Sequence, residues 1–337
     1  MTTLRDLARH LDLSVTQVSR ALNGHGDVSA LTRARVAEAA RARGYRPNLS
    51  ARRLATGRSG MLGLVLSGVP GEDEHAPFVQ IVGGLSLSLS RLGRPFVLHV
   101  ADPEEDEVEV YRRLVGGRAI DGFVLLDPGE RDRRVRFLRG AGVPFVVHGR
   151  VAGPADYPFY DIDNEAAARR LAARLTDAGH RRVAFLNGPR GQGYAEARAR
   201  GFRAAMAGAG GEAILRFAAM TEGQGMLGVA ELWRSKPPTA LVCGSLRLAR
   251  GAVRMLGALG LGVPGDVSVV AHDDGLPGLG PQGFEPPLTV TRSPLPEAWP
   301  HLARLLVAAE AGEGPAGLQV LGEVTLREGG SVGPPRR

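Results

Sequence analysis

The sequence predicts two folds in one chain: a small all-α head over residues 1–46 and a two-lobed α/β body over 60–337, each lobe built on a parallel, doubly wound sheet. Three observations predict this. The first 58 residues carry apolar stripes at helical spacing, broken by short turns. From residue 60, near-continuous apolar runs alternate with helical stretches, the pattern of parallel strands covered on both faces. Charge divides at the same place: residues 1–58 hold eleven Arg, no Lys and four acids, whereas the other 279 residues hold 31 basic and 31 acidic side chains. At 337 residues the chain also exceeds what one hydrophobic core usually supports.

The formal net charge of +7 therefore sits wholly on the head and hinge, which points to a polyanionic partner, nucleic acid first. Cys243 is the only cysteine, so neither an intramolecular disulfide framework nor a cysteine-rich metal site is expected. The start MTTLRDLARHLDLS lacks the apolar core of a secretion signal, and no run of about 18 apolar residues occurs. A cytoplasmic protein without a membrane partner is the expectation.

In the head, Thr3 precedes Leu4, Leu7, Ala8 and Leu11, an N-capped amphipathic helix. Asp12-Leu13-Ser14 breaks it, and Ser14 caps a second helix from Val15 to Leu22 that Asn23-Gly24 closes. Two helices on a tight turn make a helix-turn-helix. Val18, Ala21 and Leu22 face its core, leaving Val15, Thr16, Gln17, Ser19 and Arg20 as a small, polar, basic outer face suited to the major groove. A third helix, Ala30 to Arg43, is expected to pack Val36, Ala37 and Ala40 on the pair before Gly44 ends it.

The stretch TLRDLARHLDLSVTQVSRALNG, followed by DVSALTRARVAEAARARGYRPNLSARRLATGRS, resembles the head of the lactose repressor family over its whole length. The resemblance implies that Val15, Thr16 and Arg20 read bases, and that Ser14, Gln17, Ser19, Asn23, Tyr45 and Asn48 position the head on phosphates. The chemistry agrees for Arg20, whose fork fits guanine O6 and N7, and for Thr16, which offers a hydroxyl and a methyl. Asp12 departs from the family's usual turn Gly, but Asp tolerates the left-handed conformation.

Residues 47–59 form a hinge. Within it Leu49 to Thr56 can make two helical turns, too few to be stable alone in water. In the family, two such hinge helices pair in the minor groove with a leucine wedged into a base step. Ala51 and Leu54 match that pattern, although a plain linker with a stray Leu is the alternative.

The body's apolar runs are MLGLVLS, PFVLHV, GFVLLD, PFVVHG, VAFLNG, AILRFA, ALVCGS and VSVVAHD, each expected to be separated from the next by one helix. They fit one lobe of about 60–160 plus 292–322 and another of about 161–291 plus 323–337. This resembles the periplasmic-binding-protein-like body of the same family, to about residue 330. In such sheets ligands sit beyond the strand carboxyl ends, here a cleft shared by two lobes. The resemblance places Arg198 and Asp273 on the effector and Phe78 where an aromatic lines the cleft; Asp163-Asn164 follows an expected crossover. An arginine and a carboxylate suit vicinal sugar hydroxyls, though a cleft-spanning ion pair is the plainer alternative. His148-Gly149-Arg150 and Gly244-Ser245 depart from the family's usual Asp-Arg and Asn-Asp, so His148, Arg150 and Ser245 are candidate replacements. The set HGR, FYDIDN, NGP, CGS and AHDD resembles the branch controlling α-glucoside use.

The resemblance thus implies a homodimeric repressor of sugar-utilisation genes, bound to a pseudo-palindromic operator and released by a sugar, with no cofactor and no metal. The tail SVGPPRR lacks a leucine heptad, so no tetramerisation helix is expected. A purine-like corepressor or an activator role uses the same parts. Other classes find weaker support. Gly188, Gly191 and Gly193 follow a strand but match neither GxGxxG nor a P-loop. Ser245 with His272 and Asp273 lacks a hydrolase elbow, and His272-Asp273-Asp274 lacks further metal ligands. A solute receptor would share the body but has no use for the head.

Overall fold

The structure is a computed structural model describing residues 2–22, 26–45, 58–69, 71 and 75–336. The chain divides into two compact units, Met1–Ser59 and Gly60–Arg337.

In the first unit, α1 spans Leu4–Leu11 under a capping box: the Thr3 hydroxyl accepts the Asp6 N–H while the Asp6 carboxylate accepts the Thr3 N–H. Asp12 closes α1 in the left-handed region, φ 54° and ψ 46°, its N–H donating to the Ala8 carbonyl. The second helix, α2, spans Val15–Leu22. Ser14 and Gln17 cap it reciprocally, the Gln17 N–H donating to Ser14 Oγ at 3.1 Å and the Ser14 N–H to Gln17 Oε1 at 3.0 Å. Ser29 caps α3, Ala30–Ala42. Leu7, Ala8, Leu11, Val18, Ala21, Val36, Ala39 and Ala40 close one small core. Ala37, expected inside, is exposed, and Ala39, three residues after Val36, takes its place.

The second unit holds two sheets with the same strand order. The first runs β11-β5-β4-β3-β1-β2, with β1 Leu62–Ser67, β2 Phe96–Ala101, β3 Gly122–Leu125, β4 Phe145–His148, β5 Phe159–Ile162 and β11 Gln319–Gly322, all parallel. The second runs β12-β10-β9-β8-β6-β7, with β6 Arg182–Asn187, β7 Glu212–Phe217, β8 Ala240–Cys243, β9 Ser268–Asp273 and β10 Thr289–Arg292 parallel. Its edge strand β12, Thr325–Arg327, is antiparallel to β10. Four of these strands, β5, β10, β11 and β12, lie outside the eight apolar runs, and β4 passes to β5 through a loop rather than a helix.

Alternate residues of each strand feed cores on opposite faces. Leu62, Leu64, Val124 and Val146 face Trp299, Leu302 and Leu306 on one side of the first sheet, while Phe123, Leu125, Phe145 and Val147 face Tyr111 and Leu138 on the other. The helices that cover the first sheet are α4 (His75–Arg91), α5 (Glu107–Gly116), α6 (Arg133–Gly140) and α11 (Ala298–Glu310). The second sheet is covered by α7 (Asn164–Asp177), α8 (Gly193–Gly208), α9 (Glu222–Leu232) and α10 (Leu246–Ala258). The chain passes between sheets three times: from β5 into α7, from β10 to α11, and from β11 to β12.

Candidate functional site

Two surfaces carry the polar chemistry. On the head, Val18 and Ala21 anchor α2 inward, which turns Val15, Thr16, Gln17 and Arg20 outward. Arg20 Nη2 lies 2.5 Å from the Asp27 carboxylate. Ser14 and Gln17 are engaged in the cap described above, and Ser19 is half-buried. Tyr45 packs at the edge of the head core, where burial raises its phenol pKa. Asn23, Asn48, Ala51 and Leu54 lie outside the described residues.

In the body, the carboxyl ends of the strands of both sheets meet. Gly129, after β3, forms an antiparallel bridge with Gln192, before α8. The Gly193 N–H donates to the Pro128 carbonyl at 2.8 Å and the Glu130 N–H to the Gly191 carbonyl at 3.1 Å. A Cβ on Gly193 would stand 2.4 Å from the Arg150 carbonyl oxygen, so this approach requires glycine. Arg200 of α8 adds ion pairs to Glu130 and Glu165.

Between the sheets lies a buried polar chain. Arg198 projects from α8, which lies so close to α7 that a Cβ on Gly201 would come within 2.0 Å of the Glu165 carbonyl. That contact sets Arg198 beside Asn164: its Nε donates to Asn164 Oδ1 at 2.8 Å and its Nη1 to the Gly244 carbonyl at 2.9 Å. The guanidinium also sits over the Tyr194 ring, 5.3 Å from its centroid. Burial pulls its pKa down, and the neighbouring Asp274 pulls it back. Burial opposes ionisation of Asp274 too, but a hydrogen bond from His272 and the charge of Arg198 hold its carboxyl below the ordinary range. Asp274 is therefore the carboxylate whose charge acts on Arg198.

His272 spends Nδ1 on Thr291 Oγ1 (3.1 Å) and Nε2 on Asp274 (3.3 Å), and burial lowers its pKa. It is not paired to a nucleophile: Ser245 is the N-cap of α10 and accepts the Leu248 N–H. His148, ending β4, stacks on Tyr160 and tilts against Trp299. Burial lowers its pKa against the pull of Asp127, Asp161 and Asp274. On the crossover side a cavity of about 410 Å³ opens between Arg150, Asp161, Asp163, Asn164 and Tyr194, flanked by Glu130 and Arg200.

The expected effector residues thus fall into groups. Arg150 and Asp163 line the cavity, Asp163 also capping α7. Arg198 and His148 do not line it: Arg198 bonds to Asn164 of its wall, and His148 packs on Tyr160 and Trp299. Asp273 is corrected: its carboxylate is fully buried, accepts from Arg292 and the Gly275 N–H, and ties β9 to β10, and the charge that acts on Arg198 is that of Asp274. A cleft-spanning Arg198–Asp273 pair is not formed. Ser245 serves its helix cap, and Phe78 is half-buried on α4 and is not among the residues lining the cavity. Sequence reasoning passed over Tyr194, Asp161 and Asp274. The Asp273-Asp274 doublet held the signal, because successive residues of a strand point to opposite faces, but the register was not readable.

A helix-turn-helix with an exposed reading face and a two-lobed body with a charged cleft together define a ligand-responsive DNA-binding regulator. Residues 3–48 match the model of bacterial regulatory proteins of the lacI family, and residues 60–307 match that of periplasmic binding proteins and the sugar binding domain of the LacI family. The HTH-type transcriptional regulator AglR of Rhizobium meliloti (strain 1021) is 40% identical over 98% of this chain and 94% of its own. The solved structure of a transcriptional regulator CelR–cellobiose complex is 31% identical, covers 98% of this chain and all of its own, and superposes with a TM-score of 0.71. The lac repressor dimer bound to operator and the anti-inducer ONPF, 24% identical over 98% of this chain and 99% of its own, shares the fold with a TM-score of 0.75. The chain belongs to the LacI family and is a helix-turn-helix transcriptional regulator.

Proposed function

We propose that the protein is a cytoplasmic, homodimeric, non-catalytic repressor of sugar-utilisation genes, with a DNA-binding head at 1–46, a hinge at 47–59 and an effector body at 60–337. A neutral sugar binding between the two sheets of the body releases it from its operator. The observation that carries this reading is the buried Arg198 guanidinium, held by Asn164 and the Gly244 carbonyl where the strand ends of both sheets meet, next to a polar cavity that Asn164 lines. Sugar hydroxyls both donate and accept, so they can bridge a guanidinium and a carboxylate without bringing net charge into the cleft. Arg150 and His148 extend the polar set from the first sheet, and the Tyr194 ring offers an apolar face. The relatives support a sugar: the matched body model is described as sugar binding, and the CelR structure holds cellobiose. An α-glucoside is the particular sugar implied by the resemblance of the set HGR, FYDIDN, NGP, CGS and AHDD to the family branch controlling α-glucoside use.

On DNA, Val15, Thr16 and Arg20 read base edges while Ser14, Gln17, Ser19, Asn23, Tyr45 and Asn48 fix the register. Ala51 and Leu54 of two hinges meet in the minor groove of a pseudo-palindrome. Phosphate contacts through the basic head make the affinity fall steeply with salt. Linkage requires operator DNA to weaken sugar binding by the factor with which sugar weakens operator binding, typically ~5–150-fold.

The test is binding of the full-length protein to its own upstream DNA, titrated with maltose, trehalose, sucrose, cellobiose and purines. Release by an α-glucoside is the expected result. Release by cellobiose alone moves the sugar class, tightening by a purine makes the system a corepressor, and absence of any specific DNA binding overturns the proposal.

A further inference from the structure

We infer that Asp161 is a positioning residue of the effector site, fixing the direction in which Arg198 and Arg150 present their donors; this rests on the sugar-binding reading above. Asp161 is the third residue of β5, just before the chain crosses to α7, and it is nearly fully buried at the cavity wall. Its two carboxylate oxygens are divided. Oδ2 accepts Arg150 Nε at 2.7 Å, and Oδ1 accepts Asn164 Nδ2 at 3.0 Å together with the Ile162 N–H at 2.8 Å.

The consequence passes through Asn164, which is also buried. An ionised carboxylate only accepts and a guanidinium only donates. With Asp161 on one side and Arg198 on the other, the Asn164 amide has one satisfied orientation: Nδ2 toward Asp161 and Oδ1 toward Arg198 Nε. Asp161 thus sets the amide and the amide sets the guanidinium, which the Gly244 carbonyl holds at its Nη1 end. The chain Arg150–Asp161–Asn164–Arg198 begins after a strand of the first sheet and ends on a helix of the second. Both arginines are thereby oriented on either side of one crossover, so the sugar hydroxyls meet donors whose directions are already fixed.

Asp161→Asn removes one acceptor. The new amide cannot accept from Arg150, Asn164 and the Ile162 N–H at once, so Asn164 turns or Arg150 is released. Two measurements on the full-length protein decide the matter. In calorimetric titrations with maltose, trehalose, sucrose and cellobiose, D161N is expected to lose about ten- to a hundredfold in affinity for whichever of these the wild type binds, with operator affinity unchanged. The loss is expected to be non-additive with R198A: the double variant loses less than the sum of the two single losses, because only the part carried by Arg150 remains to be lost. Asn164→Ala, which leaves the Arg150–Asp161 pair intact, should reproduce the part of the loss that passes through Arg198 if D161N fails to fold.

The second measurement needs no sugar. The Arg198 Nε–H resonance, assigned by its disappearance in R198K, should be protected from solvent exchange in the wild type and lose that protection in D161N. Wild-type affinity in D161N, full additivity with R198A, or an unmoved Arg198 resonance overturns the assignment. If the wild type binds none of the sugars, the sugar reading fails while the resonance still decides the role of Asp161.

Discussion

In the head, the Arg20 guanidinium meets the Asp27 carboxylate at 2.5 Å with both side chains about half exposed. A guanidinium has five N–H donors, so Arg20 can keep this partner and still present two donors to a guanine edge. Asp27 restricts the rotamers of the reader and also sets a negative charge close to where phosphates must come. Asp27→Asn should therefore weaken specific binding and strengthen non-specific binding together. Exposed pairs are worth about 1 kcal/mol or less, which limits the loss of specific affinity to roughly fivefold. Operator and scrambled-DNA affinities measured at one salt concentration check this, and an unchanged ratio between them removes Asp27 from base reading. At the same scale, Asp12 occupies the left-handed turn position that its short polar side chain tolerates, as its place between two helical stripes implied. Asp273 shows the opposite outcome. Nothing local distinguishes it from Asp274, and the choice was made by Arg292, a residue 19 positions away on the neighbouring strand.

Among elements, the segment Gly191–Gly193 before α8 and the segment Pro128–Glu130 after β3 act as one clasp, because their backbone hydrogen bonds join the two sheets' strand ends. Gly193 is its steric limit. Gly193→Ala places a methyl carbon 2.4 Å from the Arg150 carbonyl oxygen, a backbone atom that cannot swing away as a side-chain tip would. The strain falls on the approach of the sheets rather than within either one. Overpacking of this kind costs about 1–3 kcal/mol, so sugar affinity should fall by roughly five- to 150-fold while the melting temperature stays close to that of the wild type. Titration and thermal unfolding of the variant check this, and undiminished sugar affinity shows that the clasp need not form. The strands that announced themselves in sequence carry apolar runs, clearest at Val183–Leu186 and Ser268–Ala271, which are buried on both faces. The strands that did not, β5, β10, β11 and β12, are three or four residues long, and their pairing is decided by tertiary partners. The cavity was legible only in part for the same reason. Arg150 follows a recognisable strand and Asp163 an expected crossover, but Tyr194 joins the site through the helix start that Gly193 permits.

For the whole molecule, the buried histidines make stability depend on pH. Burial lowers the pKa of His148, His180, His272 and His301 from the ordinary 6.5; nearby Asp274 pulls His148 and His272 only partly back. His180 is held between Thr239 and Ser268 and also meets the Gly333 carbonyl, so it joins the C-terminal tail to the second sheet. Above about pH 7 these imidazoles are neutral whether the chain is folded or unfolded, and they add no pH dependence. Below 6.5 the unfolded chain takes up protons that the folded chain refuses, so stability falls as pH falls through the gap between the two values and levels off once the folded groups also protonate. The carboxylates with lowered pKa values, Asp132 and Asp274 among them, act in a separate window below 3.8. Trp233 and Trp299 both lie in the body, so tryptophan fluorescence follows that unit alone. The expected outcome is a melting temperature that holds from pH 8 to about 7 and declines steadily toward pH 5. His180→Asn should have a shallower decline, because one of the groups that resists protonation is gone. A flat profile across that range would mean that these histidines take up protons in the folded state as readily as in the unfolded one.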